Sequence, residues 1–127
     1  PQALNRAEIL VCLLPDTAGT RNLLDAARLS RLPPGATIIN AGRGSLIDEA
    51  ALLAALDQGP GHAVLDVFRQ EPLPPEHPFW THPQVTVTPH VSAETRPESA
   101  AHVVAENLRR AMQGAPLLHL VDRARGY

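Results

Sequence analysis

One cysteine, no lysine and no apolar stretch of bilayer length set the first limits on this 127-residue chain. A lone Cys12 cannot form an internal disulfide, which suits a reducing compartment, and a cytoplasmic location is expected. All eleven basic residues are arginines, a coding bias to which no mechanism attaches. No run approaches the roughly 18 apolar residues that suggest a membrane span. The formal net charge of −2 argues against nucleic acid or an anionic membrane as main partner. Neither the Gly-x-Gly-x-x-Gly dinucleotide fingerprint nor a phosphate loop occurs. There is no Gly-x-Ser-x-Gly elbow, which leaves Ser45 and Ser92 as poor nucleophile candidates. His77 and His82 lack an acidic or cysteine partner at ligand spacing, so no metal site is expected.

What is present reads as alternating strands and helices. A hydrophobic fraction of 44% and this length suffice for one domain's core. Residue 1 is Pro, and the opening segment reads as a helix tail running into a strand, so further polypeptide upstream is expected. Ile9–Leu14 is a continuous apolar run ended by Pro15-Asp16, as in a strand covered on both faces. Helix formers fill Gly19–Leu32 up to Pro33-Pro34-Gly35, and Ala36–Ala41 is the second strand. Asp48 caps a helix over Glu49–Gln58 with Leu52, Leu53 and Leu56 on its apolar stripe, and Gly59 stops it. His62–Phe68 is the third strand. The proline-dense Gln70–Pro83 permits only a short turn, which Phe79-Trp80 is expected to anchor. Val85–Thr88 is the fourth strand. A last helix opens on a capping box of Thr95 and Glu98, presents Val104 and Leu108 at helical spacing and ends by Gly114.

This order predicts an α/β fold, a partial Rossmann-like parallel sheet with flanking helices. Ligands of such sheets bind outside the carboxyl ends of the strands. Those ends are Pro15–Thr17, Asn40–Gly44, Asp66–Glu71 and His90–Ser92. Gly42 and Gly44 are read as letting the chain turn sharply, which presents Arg43 as a fork for a carboxylate. A surface ion pair is the plainer alternative. His90 is a candidate general acid–base, or a loop histidine bonded to backbone. Glu71 can hold its ring and favour the imidazolium, or simply face solvent. Asp66, inside an apolar run, needs a partner if buried, either a ligand amide or a neighbouring loop.

Asn40-Ala41-Gly42-Arg43-Gly44, Leu65-Asp66-Val67-Phe68 with Glu71-Pro72-Leu73-Pro74, and Thr88-Pro89-His90-Val91-Ser92 resemble the signature segments of the D-isomer-specific 2-hydroxyacid dehydrogenases. Order and spacing agree over nearly the whole chain. The resemblance implies NADPH or NADH as cofactor and a small 2-oxo acid, glyoxylate or hydroxypyruvate, as substrate. It implies that Arg43 holds the substrate carboxylate, that His90 donates a proton to the carbonyl oxygen, and that Glu71 partners His90. Leu14, Pro15, Thr17, Ala41 and Ser92 would line the cofactor cleft with Arg43 and His90, and Asp66 would face its nicotinamide end. No nucleic acid, membrane or metal is implied, and a homodimer is expected.

By this resemblance residues 1–93 would be the C-terminal half of a nucleotide-binding domain. Residues 94–127 would be a final helix and tail that pack on a substrate domain. The family's glycine fingerprint and its substrate domain precede these segments, so the chain alone is expected to turn over little or not at all. The strand at Ile9–Leu14 would then be an apolar edge, pairing with another copy or with upstream chain. Two rivals keep the same residues: a non-catalytic corepressor-like binding module, and a fragment retained for structural reasons.

Overall fold

A computed structural model describes residues 2–127. Four strands form one parallel sheet in the order β1 (Ile9–Cys12), β2 (Thr37–Asn40), β3 (His62–Leu65), β4 (Val85–Val87). Sequential order without reversal means that every connection crosses in the same sense, as parallel pairing requires. Cys12, Asn40 and Leu65 are in register across β1–β3, and Leu65 faces Val87. The loops that leave these positions therefore start side by side.

The chain divides into two compact units, one running to Ser92 and the other from Ala93 to Tyr127. In the first, Ile38, Ala63 and Leu65 meet Leu29, Leu52 and Leu56 in a single core that also takes in Phe79. Burying one such side chain is worth about 1.5–3 kcal/mol. Phe79, fully buried, anchors the proline loop, whereas Trp80 is half exposed and donates Nε1–H to the Pro74 carbonyl at 2.9 Å. Among the described residues β1 has a strand on one side only, and Ile9 is 63% exposed.

The helices differ from expectation in instructive ways. Instead of a helix over Gly19–Leu32, only α1 (Ala26–Leu29) forms, capped by Asp25. Asn22 takes φ 50°, which no helix continues, and Leu24 exchanges backbone bonds with Leu46 and Asp48. A tertiary bridge thus overrides local helix propensity. α2 (Glu49–Leu56) begins as read, with the Asp48 carboxylate accepting from Ala51 N–H at 3.0 Å.

In the second unit, α3 spans Pro97–Met112. The expected capping box is not made: Arg96 is the cap residue, Pro97 takes the first helical position, and no side chain caps it. The helix starts one residue later than the box requires, so Thr95 lies outside the cap position and Arg96 has no side-chain acceptor to offer. The Asn107 amide bridges to the Leu118 backbone in both directions, at 2.8 and 3.2 Å, and holds the tail to the helix. Val104, Leu108 and Met112 are exposed. Among the described residues no helix is long and apolar enough to cross a membrane.

Candidate active site

The chain after β3 carries Glu71 and the chain after β4 carries His90, and the two side chains meet. His90 Nδ1 lies 2.8 Å from Glu71 Oε2. The other Glu71 oxygen accepts the Phe68 N–H at 2.9 Å, which fixes the carboxylate against its own loop. Burial pushes the Glu71 carboxyl up, but the Phe68 N–H, His90 and the Arg43 charge outweigh it and leave the pKa below its usual value. An ionised carboxylate only accepts, so Nδ1 carries the proton of this bond and Nε2 is left free. The His90 side chain is 49% exposed, so a small molecule can reach it. Its backbone sits at φ 55°, a left-handed conformation uncommon outside glycine, although histidine is among the side chains that adopt it more often. Such strain, about 1–3 kcal/mol, persists where surrounding structure enforces it.

Arg43 leaves β2 in a loop organised by Asn40. That amide, almost wholly buried, donates to the Arg43 carbonyl at 3.1 Å and accepts from Gly42 N–H at 3.2 Å. The glycines beside Arg43 have ordinary backbone angles, which corrects the expectation of a turn that other residues avoid. Their reason is space. A Cβ on Gly42 would lie 3.0 Å from the Leu14 carbonyl oxygen. One on Gly44 would overlap the Phe68 carbonyl and the Arg69 amide nitrogen. The Arg43 guanidinium is exposed and donates to the Gly42 carbonyl at 2.7 Å.

Asp66 is bonded to a neighbouring loop. Its carboxylate, 4% exposed, receives four donors from the turn after β4. Thr88 Oγ1–H (2.6 Å) and Val91 N–H (2.9 Å) bind one oxygen; Ser92 N–H (3.0 Å) and Ser92 Oγ–H bind the other. Burial alone would raise this carboxyl, but the four bonds hold it far below the usual carboxylate range. Asp66 therefore shapes the turn that carries His90.

An open pocket of about 480 Å³ takes in Glu71 and His90 with Phe68, Leu73, Trp80 and Val87. Arg43 is not on its wall, so the three groups share a neighbourhood and not one cavity. At the same end of the sheet, Leu14 is exposed and Pro15, Thr17 and Ala41 are half-buried. Thr20 Oγ1 ties that turn together, donating to the Pro15 carbonyl at 2.6 Å and accepting from Thr17 N–H at 2.8 Å. These residues fit one wall of a dinucleotide cleft: apolar surface at the open side of β1, closely approached by the Gly42 backbone. Burial pushes the Cys12 thiol up to about 11, which keeps it protonated and a poor nucleophile at neutral pH.

Two contributors went unread in the sequence. Asn40 could have been found as an amide ending a buried strand, a position that demands partners. Arg69 gave no signal, because nothing local marks a charged loop residue as bound across the fold.

A profile of the D-isomer specific 2-hydroxyacid dehydrogenase NAD-binding domain matches residues 1–92. Glyoxylate/hydroxypyruvate reductase A of Salmonella newport is 47% identical over 98% of this chain and 40% of its own length. The chain thus spans about two fifths of the curated relatives it matches. The D-isomer specific 2-hydroxyacid dehydrogenase of Xanthobacter autotrophicus Py2, solved with NADPH and MES, superposes with a TM-score of 0.94 at 49% identity, covering 98% of this chain and 52% of that one. The NADPH-dependent glyoxylate/hydroxypyruvate reductase of Sinorhizobium meliloti, solved with NADP and sulfate, gives 0.89 at 43% identity, covering 98% and 41%. With its parallel sheet, its Arg43 loop and its His90–Glu71 pair, the chain belongs to the D-isomer-specific 2-hydroxyacid dehydrogenases.

Proposed function

We propose that the polypeptide containing this chain reduces a small 2-oxo acid, glyoxylate or hydroxypyruvate, to the 2-hydroxy acid. The observation that carries this reading is the 2.8 Å contact between His90 Nδ1 and Glu71, which leaves Nε2 free and exposed. Arg43 binds the substrate carboxylate, where a permanently charged guanidinium can make two parallel hydrogen bonds. His90, protonated, gives the Nε2 proton to the carbonyl oxygen as the alkoxide forms. Glu71 keeps Nδ1 protonated throughout and stabilises the imidazolium before transfer. NADPH or NADH, when bound, supplies the hydride that reaches C2. Leu14, Pro15, Thr17, Ala41 and Ser92 would line its cleft, with Asp66 fixing the turn that bears Ser92 and His90.

The domain division and the assembly belong to the same proposal. Residues 1–93 serve as the second half of a nucleotide-binding domain, and residues 94–127 pack on a substrate domain supplied upstream. The exposed Val104, Leu108 and Met112, and the exposed edge of β1, support a covering by further chain. A homodimer in the cytoplasm is the expected state, checked by sedimentation of the whole polypeptide. The chain on its own is expected to turn over poorly. The test is loss of NADPH absorbance with glyoxylate or hydroxypyruvate, in the polypeptide that joins this chain to its upstream half. Turnover that survives Arg43→Ala or His90→Ala, or none in the unaltered protein, would defeat the reading.

A further inference from the structure

We propose that Arg69 is a positioning residue for this site, binding the loop that presents Arg43 to the loop that presents Glu71. The inference rests on the functional reading for its kinetic test, though its geometry stands apart from it. Arg69 lies two residues before Glu71, yet its guanidinium is spent on the other loop. Nε–H and an Nη2–H both donate to the Ile47 carbonyl, at 3.1 and 2.7 Å. Nη2 also donates to the Asn22 side-chain oxygen. Asn22 in turn gives its backbone N–H to the Ser45 carbonyl at 2.8 Å.

The Arg69 backbone is held as firmly. Its N–H donates to Glu49 Oε1 at 3.0 Å, at the start of α2. The Phe68–Arg69 peptide is also the surface on which Gly44 rests without room for a Cβ. One residue earlier, Phe68 N–H fixes Glu71. A single short stretch therefore touches the residue after Arg43, the residue before the α2 cap, and the partner of His90. Arg69 is exposed, yet its guanidinium reaches across the fold to the Ile47 carbonyl and the Asn22 side chain. Without its fork, the Arg43 loop and the Glu71 loop lose the guanidinium tie and keep the Arg69 N–H bond to Glu49 and the packing at Gly44. Carboxylate and carbonyl of one small substrate must meet Arg43 and His90 together, so a loosened spacing acts on substrate handling. Misplacement by about 1 Å can cost up to two orders of magnitude in rate.

The test uses the whole polypeptide. In Arg69→Ala, kcat/KM for the 2-oxo acid is expected to fall about tenfold, while KM for NADPH stays within about twofold. Arg69→Lys keeps one charged donor near Ile47 but no fork, and should fall between. Arg28→Ala, on an exposed pair with Asp25, serves as control. Acid kinetics unchanged in Arg69→Ala overturn the proposal. So does a rise in both KM values in step with a lowered melting temperature, which would mark a merely structural role. If the unaltered polypeptide shows no 2-oxo-acid turnover, the functional reading fails and NMR decides the clamp. The His90 ring and Arg43 Nε–H resonances should move in Arg69→Ala and not in Arg28→Ala; unmoved resonances sink the clamp itself.

Discussion

Among the described residues the chain holds two histidine–glutamate pairs, and their difference shows what separates an open pair from a packed one. His90 and Glu71 meet at 2.8 Å at the carboxyl end of the sheet, with His90 about half exposed. His77 and Glu49 approach only to 3.7 Å, with both side chains mostly covered. The His77 ring lies 4.5 Å from the Phe79 ring, and its Nδ1 accepts Phe79 N–H at 3.3 Å. Glu49 spends its other oxygen on Arg69 N–H. The residue types are the same in both places. Only the first pair leaves a ring nitrogen open to a ligand, with an arginine charge close by.

The sharpest break between the pairs is removal of each imidazole in the full polypeptide. His90→Ala is expected to lower kcat by about 10³-fold, the scale of general acid catalysis. Glu71→Gln should cost about 10- to 100-fold, because an amide can no longer stabilise the imidazolium. Steady-state kinetics with glyoxylate and NADPH measure both, and a Glu71→Gln enzyme as active as its parent would dissolve the distinction. His77→Gln should leave kcat within about twofold and lower stability by about 1 kcal/mol, read from denaturant melts.

Between these effects lies the turn that carries His90. Asp66→Asn removes the charge from a carboxylate with four donors and places an NH₂ against one of them. A loss of about 2–3 kcal/mol is expected, checked by urea unfolding. The same group sets an acid limit. Its folded pKa is depressed, so its stabilisation is full above the unfolded carboxylate range near pH 4 and is lost as pH falls below it. Glu71 shifts in the same direction and adds to the same slope. In Asp66→Asn the acid dependence of unfolding should flatten in that window; an unchanged slope would assign it elsewhere.

Much of the fold was legible because apolar runs of four to six residues between proline and glycine breaks have few readings other than buried parallel strands. Candidate site residues were legible where a charged or titratable residue closes or follows such a run, as at Arg43, Asp66 and His90. Local reading failed where distant chain decides. Asn22 and Leu24 leave the helix expected of them to pair with Ser45, Leu46 and Asp48. The glycines flanking Arg43 were noticed for the wrong reason, since the peptide that crowds Gly44 is more than twenty positions away in sequence. Arg69 was invisible for the same cause.

The left-handed backbone at His90 narrows what can stand there. Asparagine adopts that geometry more readily than most side chains. His90→Asn is therefore the replacement that keeps the loop's path while deleting the imidazole proposed to carry the proton. A β-branched residue would upset both at once, and its phenotype would confuse lost shape with lost chemistry. For anyone wanting a binding-competent but silent form of this protein, for trapping a substrate in a crystal, asparagine at that position is the place to begin.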